Sequence, residues 1–430
     1  MARDVHPPRG MRDFLPADKA KREHALAVIR RTYAAHGFDE IETPVMEDAS
    51  RLHSGLGGDN EKLAFGVLRR GLDADAVARA AASGDLASLT DLGLRFDLTV
   101  PLARFYATHR AELPAVFKSI QIAPVWRAER PQKGRYRQFV QCDIDIIGDA
   151  SLLADVELIT ATAATLAALG LTGLRIRINH RAILRKLVES WAIAHADYER
   201  ALITIDKEDK IGADGVAAEL VELGLLDASA ASDAAADLAG LPNDGWGLLD
   251  AQAPVPPWLE KDAYKQLLDI RAAVAQAAPD VPLVFSHNLV RGMGYYTGPI
   301  FEIEHPELGY SLGGGGRYDG MIGRFLGTDV PATGFSIGFE RIVDLIEVPE
   351  HGESDAVVLV HDADATPGAL IALKSELVAR GKRVRLERRT KNVKALLERA
   401  TESGYGAFAF VTAATASVDD LEFKPLTERH

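Results

Sequence analysis

Residues 125–147 constrain the fold most strongly. Val125–Glu129 and Phe139–Ile147 alternate polar and apolar side chains with period two, the repeat of a half-buried strand. In the second stretch Phe139, Gln141, Asp143 and Asp145 fall on one face, and Val140, Cys142, Ile144 and Ile146 on the other. In the first, Arg127 and Glu129 share a face. Leu94–Val100 reads the same way, with Arg95, Asp97 and Thr99 opposite Leu94, Phe96, Leu98 and Val100. Ile300–Glu304 is a further strand pattern. Strands that follow one another with few helices between them predict an antiparallel sheet, in an α+β fold, rather than a wound parallel one.

The polar faces carry a chemical message. A solvent face usually shows lysine, glutamate and serine; these show short acceptors (Asp97, Asp145), an amide (Gln141), a hydroxyl (Thr99), a guanidinium (Arg127) and an aromatic ring (Phe139). Short carboxylates on rigid strands suit an ammonium group, and a planar guanidinium suits a phosphate. Between the strands, Arg130, Lys133, Arg135 and Arg137 flank Gly134, a loop that calls for an anionic partner. The sequence has neither a phosphate-binding GxxxxGK[ST] loop nor a strand-linked GxGxxG. Neither HExxH nor a Cys/His cluster is present, so no dedicated metal site is expected. The four glycines at 313–316 suit close backbone approach to a ligand.

A chain of 430 residues predicts two or three domains. With 47% apolar and 26% charged residues and no long apolar run, it reads as globular, without a membrane span. The charged, proline-bearing start MARDVHPPRG does not resemble a signal peptide, and Cys142, the only cysteine, reads as a packed thiol; both suit a cytoplasmic setting. Asp18–His36 reads as a helix with Leu26, Ile29 and Tyr33 on one face, and GFDEIETPVME as a strand interrupted by Pro44. Residues 171–280, rich in Ala, Asp and Leu, read as a helical insertion; the sheet pattern resumes near Leu283. After a polar linker, PEHGESD, the chain alternates strand and helix from Ala356, a small α/β domain. The net charge of −13 argues against a global nucleic-acid surface, but Arg380–Arg399 is locally basic, including Arg388, Arg389 and Lys391.

These segments also resemble a known family. VWRAERPQKGRYRQFVQCDIDIIG is similar to motif 2 of class II aminoacyl-tRNA synthetases in its histidyl-tRNA synthetase form; GFDEIETPVME resembles motif 1 and GFSIGFERI motif 3. LVRGMGYYTGPIFE resembles the histidine signature, and LRFDLTVPLAR and RGMRDFLP match as well. The resemblance implies a class II catalytic core in residues 1–170 and 281–346, a helical insertion in 171–280 and an anticodon-binding-like domain in 354–430. It implies activation of L-histidine by ATP with Mg²⁺, transfer to tRNA(His), and a homodimer formed through motif 1. By position, Asp97, Thr99, Gln141 and Asp145 would hold the histidine amine, with Tyr295 and Tyr296 beside the imidazole. Arg127 would grip the α-phosphate and carboxylate, Glu129 and Phe139 the adenine, and Arg341 with Arg135 or Arg137 the outer phosphates. Arg291 would stabilise charge at the α-phosphate and contact histidine. Gln132 and Lys133 would meet the acceptor end of the tRNA, and Arg388, Arg389 and Lys391 its anticodon side. Two departures stand out: Gly294 replaces the family's usual aspartate, and the chain stops soon after AFAFVT, short of the family's last helix. The alternative is a paralog such as the regulatory subunit of ATP phosphoribosyltransferase; it typically lacks the arginine at position 291 and the C-terminal domain, both of which this chain has.

Overall fold

The period-two stretches meet in one large sheet. The computed structural model describes residues 5–53, 63–131, 134–239, 245–249, 254–291, 295–305, 308, 310–347 and 355–426. Gln132, Lys133, Gly294 and linker residues 349–354 lie outside them. The chain forms two units, Met1–Arg12 with Ala25–Ile346, and Asp13–His24 with Glu347–His430.

The first unit contains the strands β1 (Asp39–Glu40), β2 (Met46–Asp48), β3 (Phe65–Leu68), β4 (Thr90–Leu94), β5 (Phe117–Trp126), β6 (Gln138–Ile147), β7 (Arg175–His180), β8 (Leu283–Phe285), β9 (Pro299–Glu304), β10 (Ser311–Arg317) and β11 (Ala332–Ile337). Eight of them form a sheet in the order β1-β5-β6-β11-β10-β9-β7-β8, and β2-β4-β3 form a smaller one. The five central pairings, from β5–β6 to β9–β7, are antiparallel; only the outer pairs β1–β5 and β7–β8 are parallel. The back of β6 is core: Cys142, Ile144 and Ile146 are fully buried in one cluster with Ile29 and Tyr33 of the helix Pro16–Ala35 and Leu158 of the helix Leu152–Ala168. A buried ion pair, Arg317–Asp155 at 2.7 Å, joins β10 to that second helix, and Thr333 Oγ1 donates to the same carboxylate at 2.9 Å.

Three readings of the sequence need correction. Leu94–Val100 is not a strand: β4 ends at Leu94 and a helix runs from Thr99 to His109. Pro101 suits a first helical turn, and Asp97 Oδ1 accepts from Val100 N at 3.2 Å; alternating apolar residues imitated a strand where a capped turn lies. Arg95 therefore leaves the polar face. It is 3% exposed and donates to Thr43 O at 2.7 Å and Pro124 O at 3.0 Å. The first hairpin strand runs from Phe117 to Trp126, so Arg127 and Glu129 lie just beyond it. Finally, β7 falls within the stretch read as a helical insertion yet pairs in the large sheet, because its apolar Ile176 and Ile178 are too few to show a strand period among helices.

The second unit has β12 (Ala356–His361), β13 (Arg383–Arg388), β14 (Ala407–Val411) and β15 (Lys424–Pro425) in the order β13-β12-β14-β15, with helices Pro367–Ala379 and Val393–Glu402. The first three strands are parallel, as the strand–helix alternation requires.

Candidate active site

Strand β6 presents Gln141, Asp143 and Asp145 from one face, and its neighbours leave room for them. Gly334 of β11 stands opposite Asp145, and Ser336 opposite Asp143. A methyl group at Gly334 would come within 2.0 Å of Asp145 Oδ1, so only glycine lets this carboxylate lie where it does. Tyr318 donates its hydroxyl to Asp145 Oδ1 at 2.6 Å. Gln141 Nε2 donates to Asp143 Oδ2 and Ser336 Oγ, each at 3.2 Å.

Asp97 reaches the same group from the loop before the helix Thr99–His109, with Thr99 two residues on. Burial pushes Asp97 up to about 6, opposed by the Val100 N–H and the Arg127 charge. Burial pushes Asp145 up to about 7, opposed by the Tyr318 hydroxyl and reinforced by Asp97. Asp143 is raised well above the usual carboxylate range by burial and by Asp145 beside it. Asp143 and Asp145 are buried and Asp97 half-buried, and three carboxyl groups that each resist ionisation are suited to receive an ammonium group.

A pH prediction follows. These groups bind protons more tightly in the folded than in the unfolded chain. Their stabilising effect is full below about pH 4 and is lost as pH rises through about 6 and 7, the folded values of Asp97 and Asp145. Asp145→Asn removes one such group. Its stability relative to the parent protein, measured by urea unfolding without ligand, is expected to rise between pH 5 and pH 7 by about 1 kcal/mol per unit; a constant difference contradicts the assignment.

Two aromatic side chains border the acidic group. The rings of Tyr295 and Tyr296 lie 4.5 Å apart, and Tyr295 meets Tyr318 edge-on at 6.5 Å. Burial raises the Tyr296 hydroxyl to about 12, against the Tyr295 hydroxyl and Arg291, with Asp145 and Asp143 also acting on it. Arg127 lies over the Phe139 ring at 5.0 Å and donates from Nε to Phe96 O at 3.0 Å.

A cationic group adjoins these residues. Arg291 is clamped by Glu302, with Nε 2.7 Å and Nη2 2.5 Å from Oε2, and Nη2 also meets Ser311 Oγ at 2.5 Å. Gly314 makes room for it, since a Cβ there would lie 2.6 Å from Arg291 Nη1. The glycine run sits inside β10, where Gly314 admits a side chain that faces the site. Arg341 donates to Ser311 O and lies over the Tyr310 ring at 5.3 Å. Its guanidinium is lowered by burial, then by Arg135 and Arg291, so three positive charges sit within mutual influence. Arg135 reaches Glu129 at 3.7 Å, whereas Arg137 is turned to the loop, Nε donating to Glu129 O at 3.0 Å. The residue before Arg341 in the last motif, Glu340, is buried; it accepts from Val140 N at 3.1 Å and pairs with Arg12.

The structure thus brings Asp97, Arg127, Phe139, Gln141, Asp145, Arg291, Tyr295, Tyr296 and Arg341 to one region. Asp143, seen on the polar face but given no role, belongs there too. Tyr318, Glu302, Ser311 and Ser336 were missed. The available signal was in β9, where Glu302 stands between the buried Phe301 and Ile303.

In the second unit, Arg388 and Lys391 are exposed, and Arg389 lies 5.0 Å over Phe410 with Asp362 at 3.4 Å. Much of the surrounding basic run is neutralised from outside the run: Lys382 by Asp355 at 2.7 Å, and Arg380 by Glu376 at 2.5 Å and Asp419 at 3.3 Å.

Residues 10–342 match the model of the family described as histidyl-tRNA synthetase. A histidine–tRNA ligase of Leifsonia xyli subsp. xyli is 62% identical, with all of both chains covered. A probable histidine–tRNA ligase of Tropheryma whipplei is 42% identical, over 95% of this chain and 96% of its own. Among solved structures, histidyl-tRNA synthetase from Nostoc sp. PCC 7120 superposes with a TM-score of 0.76 at 25% identity, over 98% of this chain and 95% of that one. An ATP phosphoribosyltransferase regulatory subunit/histidyl-tRNA synthetase from Bacillus halodurans C gives 0.74 at 21% identity, over 96% and 99%, a likeness of fold.

Proposed function

Because the chain belongs to the histidyl-tRNA synthetase family, we infer that it is an ATP-dependent ligase that joins L-histidine to tRNA(His). The observation that carries this reading is the adjacency of the carboxyl group of Asp97, Asp143 and Asp145 to the arginines Arg127 and Arg291, with Arg341 beside Arg291. Histidine has an ammonium for the first and a carboxylate, and ATP has phosphates, for the second.

In the first step a carboxylate oxygen of histidine attacks the α-phosphorus of ATP. A new O–P bond forms, the bond to the β-phosphate oxygen breaks, and pyrophosphate leaves. The carboxylate is already ionised, so the step needs no general base; placement and charge neutralisation carry it. Asp97, Gln141 and Asp145, with Thr99, hold the amine, and Tyr295 and Tyr296 border the imidazole. Arg127 neutralises the carboxylate and α-phosphate, Phe139 and Glu129 receive the adenine, and Arg341 with Arg135 or Arg137 takes the outer phosphates. Arg291 meets the charge that grows at the α-phosphate. In the second step a hydroxyl of the terminal ribose of the tRNA attacks the acyl carbon and AMP leaves.

Mg²⁺ enters with ATP, bound by its phosphates; among the described residues no three His, Cys, Asp or Glu side chains converge as a metal site. The working form is a homodimer. Val45 and Met46, beside Pro44 in the first motif, are large apolar residues left 41% and 45% exposed, and a second copy covers them. Among the described residues no helix is long and apolar enough to cross a membrane; the reaction places the protein in the cytoplasm with its tRNA. The regulatory-subunit alternative has a likeness of fold in its favour, while the 62% identity over the whole chain favours the ligase.

Histidine-dependent incorporation of labelled pyrophosphate into ATP tests the first step. For the second, Arg388, Arg389 and Lys391 contact the tRNA from the C-terminal unit. Reversing all three charges is expected to weaken tRNA binding by about 10-fold or more at moderate salt. Pyrophosphate exchange should stay within about twofold of the parent. A parallel loss of both activities assigns the patch a structural role instead.

A further inference from the structure

Gln141 is held in one orientation by two neighbours. Its Nε2 donates to the Asp143 carboxyl, at 3.2 and 3.4 Å to the two oxygens, and to Ser336 Oγ at 3.2 Å. Its Oε1 is buried and has no partner among the described residues. The two ends of an amide have nearly the same shape but opposite hydrogen-bonding sense. Turned over, the group would present two N–H donors to an incoming ammonium and leave its oxygen facing other acceptors. Asp143 is 5% exposed and stands opposite Ser336 in the β6–β11 ladder, so the two acceptors are fixed by the sheet.

We propose that Asp143 is a positioning residue for substrate binding: with Ser336 it locks the Gln141 amide so that Oε1 faces the α-ammonium of histidine. The proposal rests on the reading that Gln141 contacts that amine. Asp143 needs only an acceptor oxygen for this task. Both of its carboxyl oxygens face Gln141 Nε2, so its part in binding is directional. This separates it from Asp97 and Asp145, whose charge the ligand neutralises.

The test is steady-state pyrophosphate exchange with histidine as the varied substrate. Asp143→Ala frees the amide and is expected to raise the histidine KM about tenfold, with kcat within about threefold. Asp143→Asn keeps the shape and one acceptor oxygen and recovers most of that loss. In a Gln141→Ala background, Asp143→Ala adds less than about twofold, because the group it positions is gone. Inhibition by imidazolepropionate, which lacks the amine, is unchanged by Asp143→Ala. Ser336→Ala, which removes the second acceptor, raises KM in the same direction and keeps the test open if Asp143→Ala fails to fold. Equal losses from Asp143→Asn and Asp143→Ala, or an undiminished loss in the Gln141→Ala background, overturn the proposal in favour of a direct charge effect. An unchanged KM for Gln141→Ala itself overturns the reading of the amine site, and the proposal with it.

Discussion

Arg291→Ala is expected to lower the rate of histidine-dependent pyrophosphate exchange by about 10²–10³-fold, the usual cost of removing one donor aimed at developing charge. With the amine assigned to Asp97, Gln141 and Asp145 and the guanidinium to the other end, as proposed, histidine should still bind. The structure explains why this arginine is fit for the role. Glu302 and Ser311 grip it from β9 and β10, and Gly314 leaves the space it fills, so it is set in place before substrate arrives. Equilibrium binding of histidine, measured alongside exchange, separates the outcomes. Retained exchange removes Arg291 from the chemical step. Lost exchange with lost histidine binding makes it a binding group only.

Gly334→Ala carries the second large effect. Its methyl group would collide with the Asp145 carboxylate and lie 3.2 Å from the Tyr318 ring. Asp145 is 4% exposed and enclosed, so it cannot swing aside without leaving the Tyr318 hydroxyl. The expected results are a histidine KM raised by about 10²-fold, as for loss of a charged hydrogen bond, and a melting temperature lower by several degrees, as for overpacking of about 1–3 kcal/mol. Histidine titration and thermal unfolding of the same sample check both. A variant with unchanged KM would mean that Asp145 does not hold the amine.

The strand β6 was legible from alternation alone, because one of its faces is core and the other is functional. Its apolar back and the helix that carries Ile29 and Tyr33 needed only periodicity. The loop holding Asp97 was not legible in that way. LRFDLTV alternates like a strand, but Pro101 and the Asp97 side chain convert its end into a helix start. Asp97 still reaches the site, from a turn rather than a sheet face. The partners of the site residues were hidden for another reason. Ser336 and Tyr318 lie 195 and 173 positions from the β6 residues Gln141 and Asp145 that they serve, and Glu302 and Ser311 lie on strands whose register no local pattern fixes. The counter-charges of the basic run in the C-terminal unit were not legible from the run itself: Asp355, Asp362, Glu376 and Asp419, which temper it, all lie outside it.

On the proposed function, the paired acidic and cationic groups select histidine and activate it. Pyrophosphate exchange into ATP, measured with each of the twenty amino acids in turn, tests this most directly. Exchange with histidine alone is the predicted result. Exchange with a different amino acid, or none with histidine in folded protein that binds it, would contradict the account.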